Sequence, residues 1–186
     1  FYGLFLWASS FGWWSLYGPV LAQALCSVWL IRLMLRCHDL PAGPLATAFF
    51  CAALSLLTGI AWYVSQLMPD GLVPLAVLAL WLLGFRWRRL ARLERAGLVA
   101  IALLGLLSHM SGMALAVGLA LVILVAWFVV HKRGWPLPVN WLPPVAVVTT
   151  SLVLMPMLHL FLVGKATYTP GGPVYIFGRL VQAGIA

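Results

Sequence analysis

Nine of the eleven basic residues in this 186-residue chain fall into three clusters: Arg32/Arg36, Arg86/Arg88/Arg89/Arg92/Arg95 and Lys132/Arg133. Almost everything between the clusters is apolar, and each interval leaves room for the chain to cross a bilayer and return. Only 8% of residues are charged and 65% are hydrophobic, with a mean hydropathy of +1.09. A soluble domain carries about 25% charged residues, so the solvent that suits this chain is lipid. Helices are the expected spanning element, because hydrocarbon offers no partner to an unpaired backbone group. A β-barrel needs short strands that alternate polar with apolar, whereas residues 72–83 are apolar on every face.

A spanning helix takes roughly 20 apolar residues, and the sequence predicts six such segments, two of them short. Residues 1–15 hold three Trp, three Phe and one Tyr among Ser and Gly, which predicts an interfacial aromatic helix or re-entrant segment. The first span covers 16–35, with Pro19 in its opening turn, where a missing N–H costs little. The second covers 45–67 and ends at a Met68-Pro69-Asp70-Gly71 turn. The third covers 72–85 and runs into the arginine-rich segment. Residues 96–130 are too long for one crossing at about 1.5 Å per residue. The Ser108-His109-Met110-Ser111-Gly112 break therefore predicts a hairpin of two short spans. The sixth covers 141–163, with Pro156 as a kink. The fold class expected is an all-α polytopic transmembrane bundle, one domain over 1–186, read as a fragment of a longer chain.

The turns after spans one, three and five hold nine basic residues, and the opposite side holds only Lys165 and Arg179. The Lys/Arg excess marks the cytoplasmic side. Both ends of the segment are therefore expected outside. The net charge of +8 serves topology and anionic headgroups rather than nucleic acid. Cys26, Cys37 and Cys51 form no paired pattern and are expected as free thiols. No metal-ligand spacing and no glycine-rich nucleotide loop is present, so no metal or other cofactor is expected.

Candidate chemistry lies on the side opposite the clusters. Asp70 is the one acid there. It is read either as a helix cap or as a carboxylate facing a cavity, a general base or cation ligand. His109 sits at the polar break, which is tolerated at depth where it is buried in protein or lines a wet cavity; a histidine packed across helices is the alternative. Arg179 and Lys165, with Tyr168 and the Gly171-Gly172 turn, could hold a phosphate or form an interfacial loop.

The aromatic segment, the LMPD turn, the SHMSGMAL break and the YTPGGPVYIFGRLV segment together resemble a family of bacterial polytopic membrane proteins similar to GT-C-type glycosyltransferases. The resemblance implies transfer of a sugar from a polyprenyl phosphate at the outer face. With that chemistry, the polar residues converging on the outer face give Asp70 and His109 as cavity-lining catalytic residues and Arg179, Lys165, Tyr168, Gly171 and Gly172 as substrate-binding residues; the resemblance adds a bacterial cytoplasmic (inner) membrane. It also implies a further span and an acidic first loop upstream of Phe1, so the family's usual catalytic acid has no match in this chain. The composition leaves a second class open: a non-catalytic accessory subunit of a respiratory or photosynthetic membrane complex, with lipids and other subunits as its partners. A transporter is less well matched, since one broken segment is present and not two.

Overall fold

The computed structural model describes residues 2–10, 16–168 and 181–182. Among these the chain is all-helical, without a strand. Its α-helices are α1 (Tyr2–Ser9), α2 (Tyr17–Cys37), α3 (Pro44–Leu57), α4 (Ile60–Ser65), α5 (Leu72–Phe85), α6 (Arg92–Ser108), α7 (Met110–Arg133) and α8 (Leu142–Val163). Three stretches are long and apolar enough to cross a membrane: Tyr17–Cys37, Gly112–Arg133 and Leu142–Val163. Pro44–Leu57 and Pro69–Phe85 are apolar but shorter, and α6 opens with Arg92, Glu94 and Arg95. By length and composition these three helices suit a membrane-embedded helical protein.

The centre of the bundle is α5. Leu72, Ala76, Ala79, Leu80 and Leu83 are buried on all sides of it, as expected of a helix that is apolar all round and enclosed by others. Its closest partner is α6, with α7, α2 and α8 completing the ring. Small residues let the backbones meet, the usual device where lipid removes any hydrophobic drive between helices. A Cβ on Gly105 of α6 would lie 2.6 Å from the Leu72 carbonyl oxygen and 2.8 Å from Ala76 Cβ of α5.

Two predicted segments are divided differently from the expectation. The second, expected as one span over 45–67, is two helices. Thr58 leaves helical geometry at φ −135°, ψ 169°. Its hydroxyl donates to the Leu54 carbonyl and accepts the Ile60 N–H. A side chain that serves both neighbouring backbone groups competes with the helix ladder, and Gly59 adds no resistance. The predicted five-residue break at 108–112 is a single residue: His109 is extended, at φ −146°, ψ 127°, and α7 begins at Met110.

Contacts gather alternate connections at two ends. At one, Arg36 at the end of α2 makes a bidentate pair with Glu94 of α6, both bonds 2.7 Å. Glu94 also accepts the Ala91 N–H at 2.8 Å, half of a capping box. Arg89 bonds Asp39 and the Cys37 carbonyl, and Arg95 lies 4.4 Å over the Trp87 ring. The Asn140 N–H donates to the Gly84 carbonyl at 2.7 Å, so the α7–α8 connection joins the same end. The turn before α5 and the α6–α7 joint meet at the other end.

The end of α8 shows how the proline kink is tolerated. Pro156 has no N–H to give to the carbonyl four residues earlier, that of Leu152. The Tyr168 hydroxyl donates to that carbonyl instead, at 3.0 Å. Gly164 makes this possible: its positive φ of 74° reverses the chain, a conformation in which a side chain would be strained. The Thr167 carbonyl then reaches His159 Nδ1 at 2.5 Å.

Candidate functional site

The polar cluster at the second end is built by close approach of backbones. Asp70 lies in a single 3-10 turn, Pro69–Gly71, that feeds α5. Leu72 and Val73, next in sequence, are the residues against which two glycines pack. Gly105 of α6 touches Leu72, and a Cβ on Gly112 of α7 would lie 3.1 Å from Val73 Cγ2. His109 sits between those glycines in sequence. Both sides of the joint are therefore drawn onto the start of α5, and His109 arrives beside Asp70.

His109 Nε2 lies 2.9 Å from Asp70 Oδ1, with the imidazole 35% and the carboxylate 58% exposed. A pair this exposed contributes at most about 1 kcal/mol. The packing of Gly105 and Gly112, rather than the pair, therefore holds the joint. The N-cap residue of α5 is Gly71, which has no side chain to offer, and the Asp70 carboxylate meets His109. Ser108 Oγ, one residue before the imidazole, is buried and has no hydrogen-bond partner among the described residues.

Gln23 is a residue that the sequence reading passed over. It is 2% exposed on α2. Oriented with its amide nitrogen toward Val64 and Gln66, it donates to both carbonyls at 3.2 Å. These are orphan acceptors at the end of α4, and a buried amide satisfies them without water. Its other terminal atom is then the one 3.4 Å from the Tyr2 hydroxyl, which ties α1 to the same end. The available signal was a lone amide inside an otherwise apolar span, a costly placement that needs partners.

The proposed phosphate-binding residues are spread differently. Lys165 is exposed just beyond α8. The Tyr168 hydroxyl is committed to Leu152. Gly171, Gly172 and Arg179 lie outside the described residues, and so does the Asp70–Arg179 separation. Pro144 at the start of α8 meets Gly84 at the end of α5, so α8 runs toward the Asp70–His109 end and delivers Lys165 in that direction.

Comparison with known protein families, with characterised proteins and with solved structures gave no match.

Proposed function

We propose that the chain is a six-crossing domain of the bacterial cytoplasmic membrane whose Asp70–His109 end faces outward and transfers a sugar from a polyprenyl phosphate. The observation that carries this reading is the 2.9 Å contact between Asp70 and His109, made where two chain breaks meet at the start of the central helix. In the proposed step, His109 Nδ1 takes the proton of the acceptor hydroxyl as its oxygen bonds to the anomeric carbon. The bond from that carbon to the phosphate oxygen breaks, and the polyprenyl phosphate leaves with the electron pair. Asp70 holds the imidazole in the tautomer this needs and steadies the imidazolium. Lys165 is assigned to the leaving phosphate, and Arg179 with the Gly171-Gly172 turn is proposed to join it. Tyr168 is omitted, because its hydroxyl already serves the α8 kink.

The test uses the full-length protein in proteoliposomes supplied with labelled polyprenyl-phosphate sugar and a range of acceptors. His109→Gln is expected to cut transfer about a hundredfold or more, the scale of a lost general base. Asp70→Asn should give a smaller loss, with the substrate concentration for half-maximal rate little changed in either. Folded His109→Gln protein with full transfer would overturn the assignment. No transfer by the wild type, together with co-purification in fixed ratio with a larger complex, would put the accessory-subunit reading in its place.

A further inference from the structure

At the arginine-rich end, α3 is barely attached. Thr47 is its one buried residue among those described, and its main partners are α2 and α4. Two apolar cavities lie in the cleft this leaves. One of about 280 Å³ is lined by Ile31, Met34, Phe50, Leu54 and Leu78, with His38 at its end. The other, of about 150 Å³, shares Ile31 and Leu54 with the first and continues toward Ala24 and Val64. From Ala24 to His38 the cleft follows about 21 Å of α2. That exceeds one leaflet's half of a hydrocarbon core about 30 Å thick.

The mouth at His38 and Leu40 has a distinct electrostatic character. Asp39 is bridged to Arg89, and Glu94 nearby is bridged to Arg36. The Arg89 side chain also donates to the Cys37 carbonyl, and its backbone N–H donates to the Arg86 carbonyl at 2.9 Å, so Arg86 opens the turn that carries Arg89 to this mouth. With both carboxylates engaged, Arg32, Arg86, Arg88, Arg92 and Arg95 have no acid partner among the described residues. Arg86 Nε is buried and has no acceptor among the described residues. An apolar slot deeper than a leaflet, opening on guanidinium groups in excess of carboxylates, fits one kind of molecule.

We infer that the α2–α3 cleft is a binding site for an anionic phospholipid of the arginine-side leaflet. One acyl chain lies along Leu54 and Ile31, and the headgroup phosphate lies against Arg86 and Arg89. The charge-assisted bonds fix the head, and the apolar walls exclude water from the chain. This site is at the opposite end from the proposed transfer chemistry and does not depend on it.

The experiment is native mass spectrometry of the full-length protein taken from nanodiscs of phosphatidylcholine, or of phosphatidylcholine mixed with phosphatidylglycerol of the same acyl chains. The wild type is expected to retain phosphatidylglycerol in preference. Arg86→Gln should reduce that retention roughly fivefold, the weight of one basic residue at an anionic surface. Arg88→Gln, which removes the same charge from an exposed position on the same turn, should change it little. Leu54→Trp fills the cleft with every arginine in place and should also reduce retention. Equal loss in Arg86→Gln and Arg88→Gln would mean only a diffuse basic surface and would overturn the site. Unchanged retention in Leu54→Trp would do the same. Should Arg86→Gln not fold, the wild-type preference and Leu54→Trp still decide, since no headgroup preference contradicts the inference on its own.

Discussion

The two ends of the bundle are closed by the same helices in different ways. At one, two carboxylates are each held by an arginine, Glu94 by Arg36 and Asp39 by Arg89, and further arginines surround them. At the other, one carboxylate meets one imidazole, and a buried glutamine holds the turn below it. The first arrangement is redundant, since losing one charge leaves many. The second has no spare parts. An end that must stay on one side of a membrane is served by excess charge, whereas an end that handles a proton needs a single pair in one geometry.

The sharpest way to break this contrast is sidedness. In a cysteine-depleted background, Met68→Cys at one end and Leu93→Cys or Leu137→Cys at the other occupy exposed positions. An impermeant thiol reagent should label the last two from one face of sealed vesicles and the first only from the other. Labelling of positions 68 and 93 from the same face would dissolve the two-ended description. The effect expected is all or none.

Next in size is the joint that brings His109 beside Asp70. Gly105→Val would drive a side chain into the Leu72 carbonyl and Ala76, and neither can move aside cheaply. A loss of about 1–3 kcal/mol or more is expected from overpacking, read as a fall in thermal midpoint in detergent. Gly118→Ala is the matched control, since nothing lies within 4 Å of its added methyl group. It should be neutral or slightly stabilising, because alanine is the better helix former. Equal effects at the two positions would mean that the α5–α6 contact does not define the joint.

The smallest effect concerns the redundant end. The Asp39 carboxyl is held below its ordinary range, chiefly by its bond to Arg89. A carboxylate with a depressed folded pKa contributes stability that is fully present above its unfolded value of about 3.9. That contribution is lost as pH falls through the folded value. Thermal stability should therefore decline in acid below about pH 4, and Asp39→Asn should shallow the decline slightly without changing stability at neutral pH by much. A decline that is steeper in Asp39→Asn would contradict the sign of this argument.

Much of the helix order was legible because Pro, Gly and Arg punctuate apolar runs whose lengths bound what each can be. Asp70 and His109 were legible as separate polar intrusions; their contact was not, since it depends on Gly105 and Gly112 meeting Leu72 and Val73 across three helices. The Thr58 break was hidden for a local reason: a hydroxyl can serve the backbone within a helix or end one. The central place of α5 was hidden for a general one. In water an apolar stripe marks the buried face, but here α5 and α7 are both apolar all round. What separates them is their neighbours: α6, α7, α2 and α8 surround α5, whereas Leu121, Val125 and Phe128 leave one side of α7 exposed.

The one-residue joint at His109 has a mechanical meaning. The 24 residues of α7 that follow it form a rod about 36 Å long. One side of its far half is exposed at Leu121, Val125 and Phe128, while Ile123 stays buried against Gly84. A rotation of about 10° at the joint would carry Arg133 through about 6 Å, given that rise. The residue proposed to take up a proton is also the pivot, so its charge and the angle of the rod share one set of torsions. A lever of that kind would convert an event beside Asp70 into a displacement among the basic residues at the opposite surface.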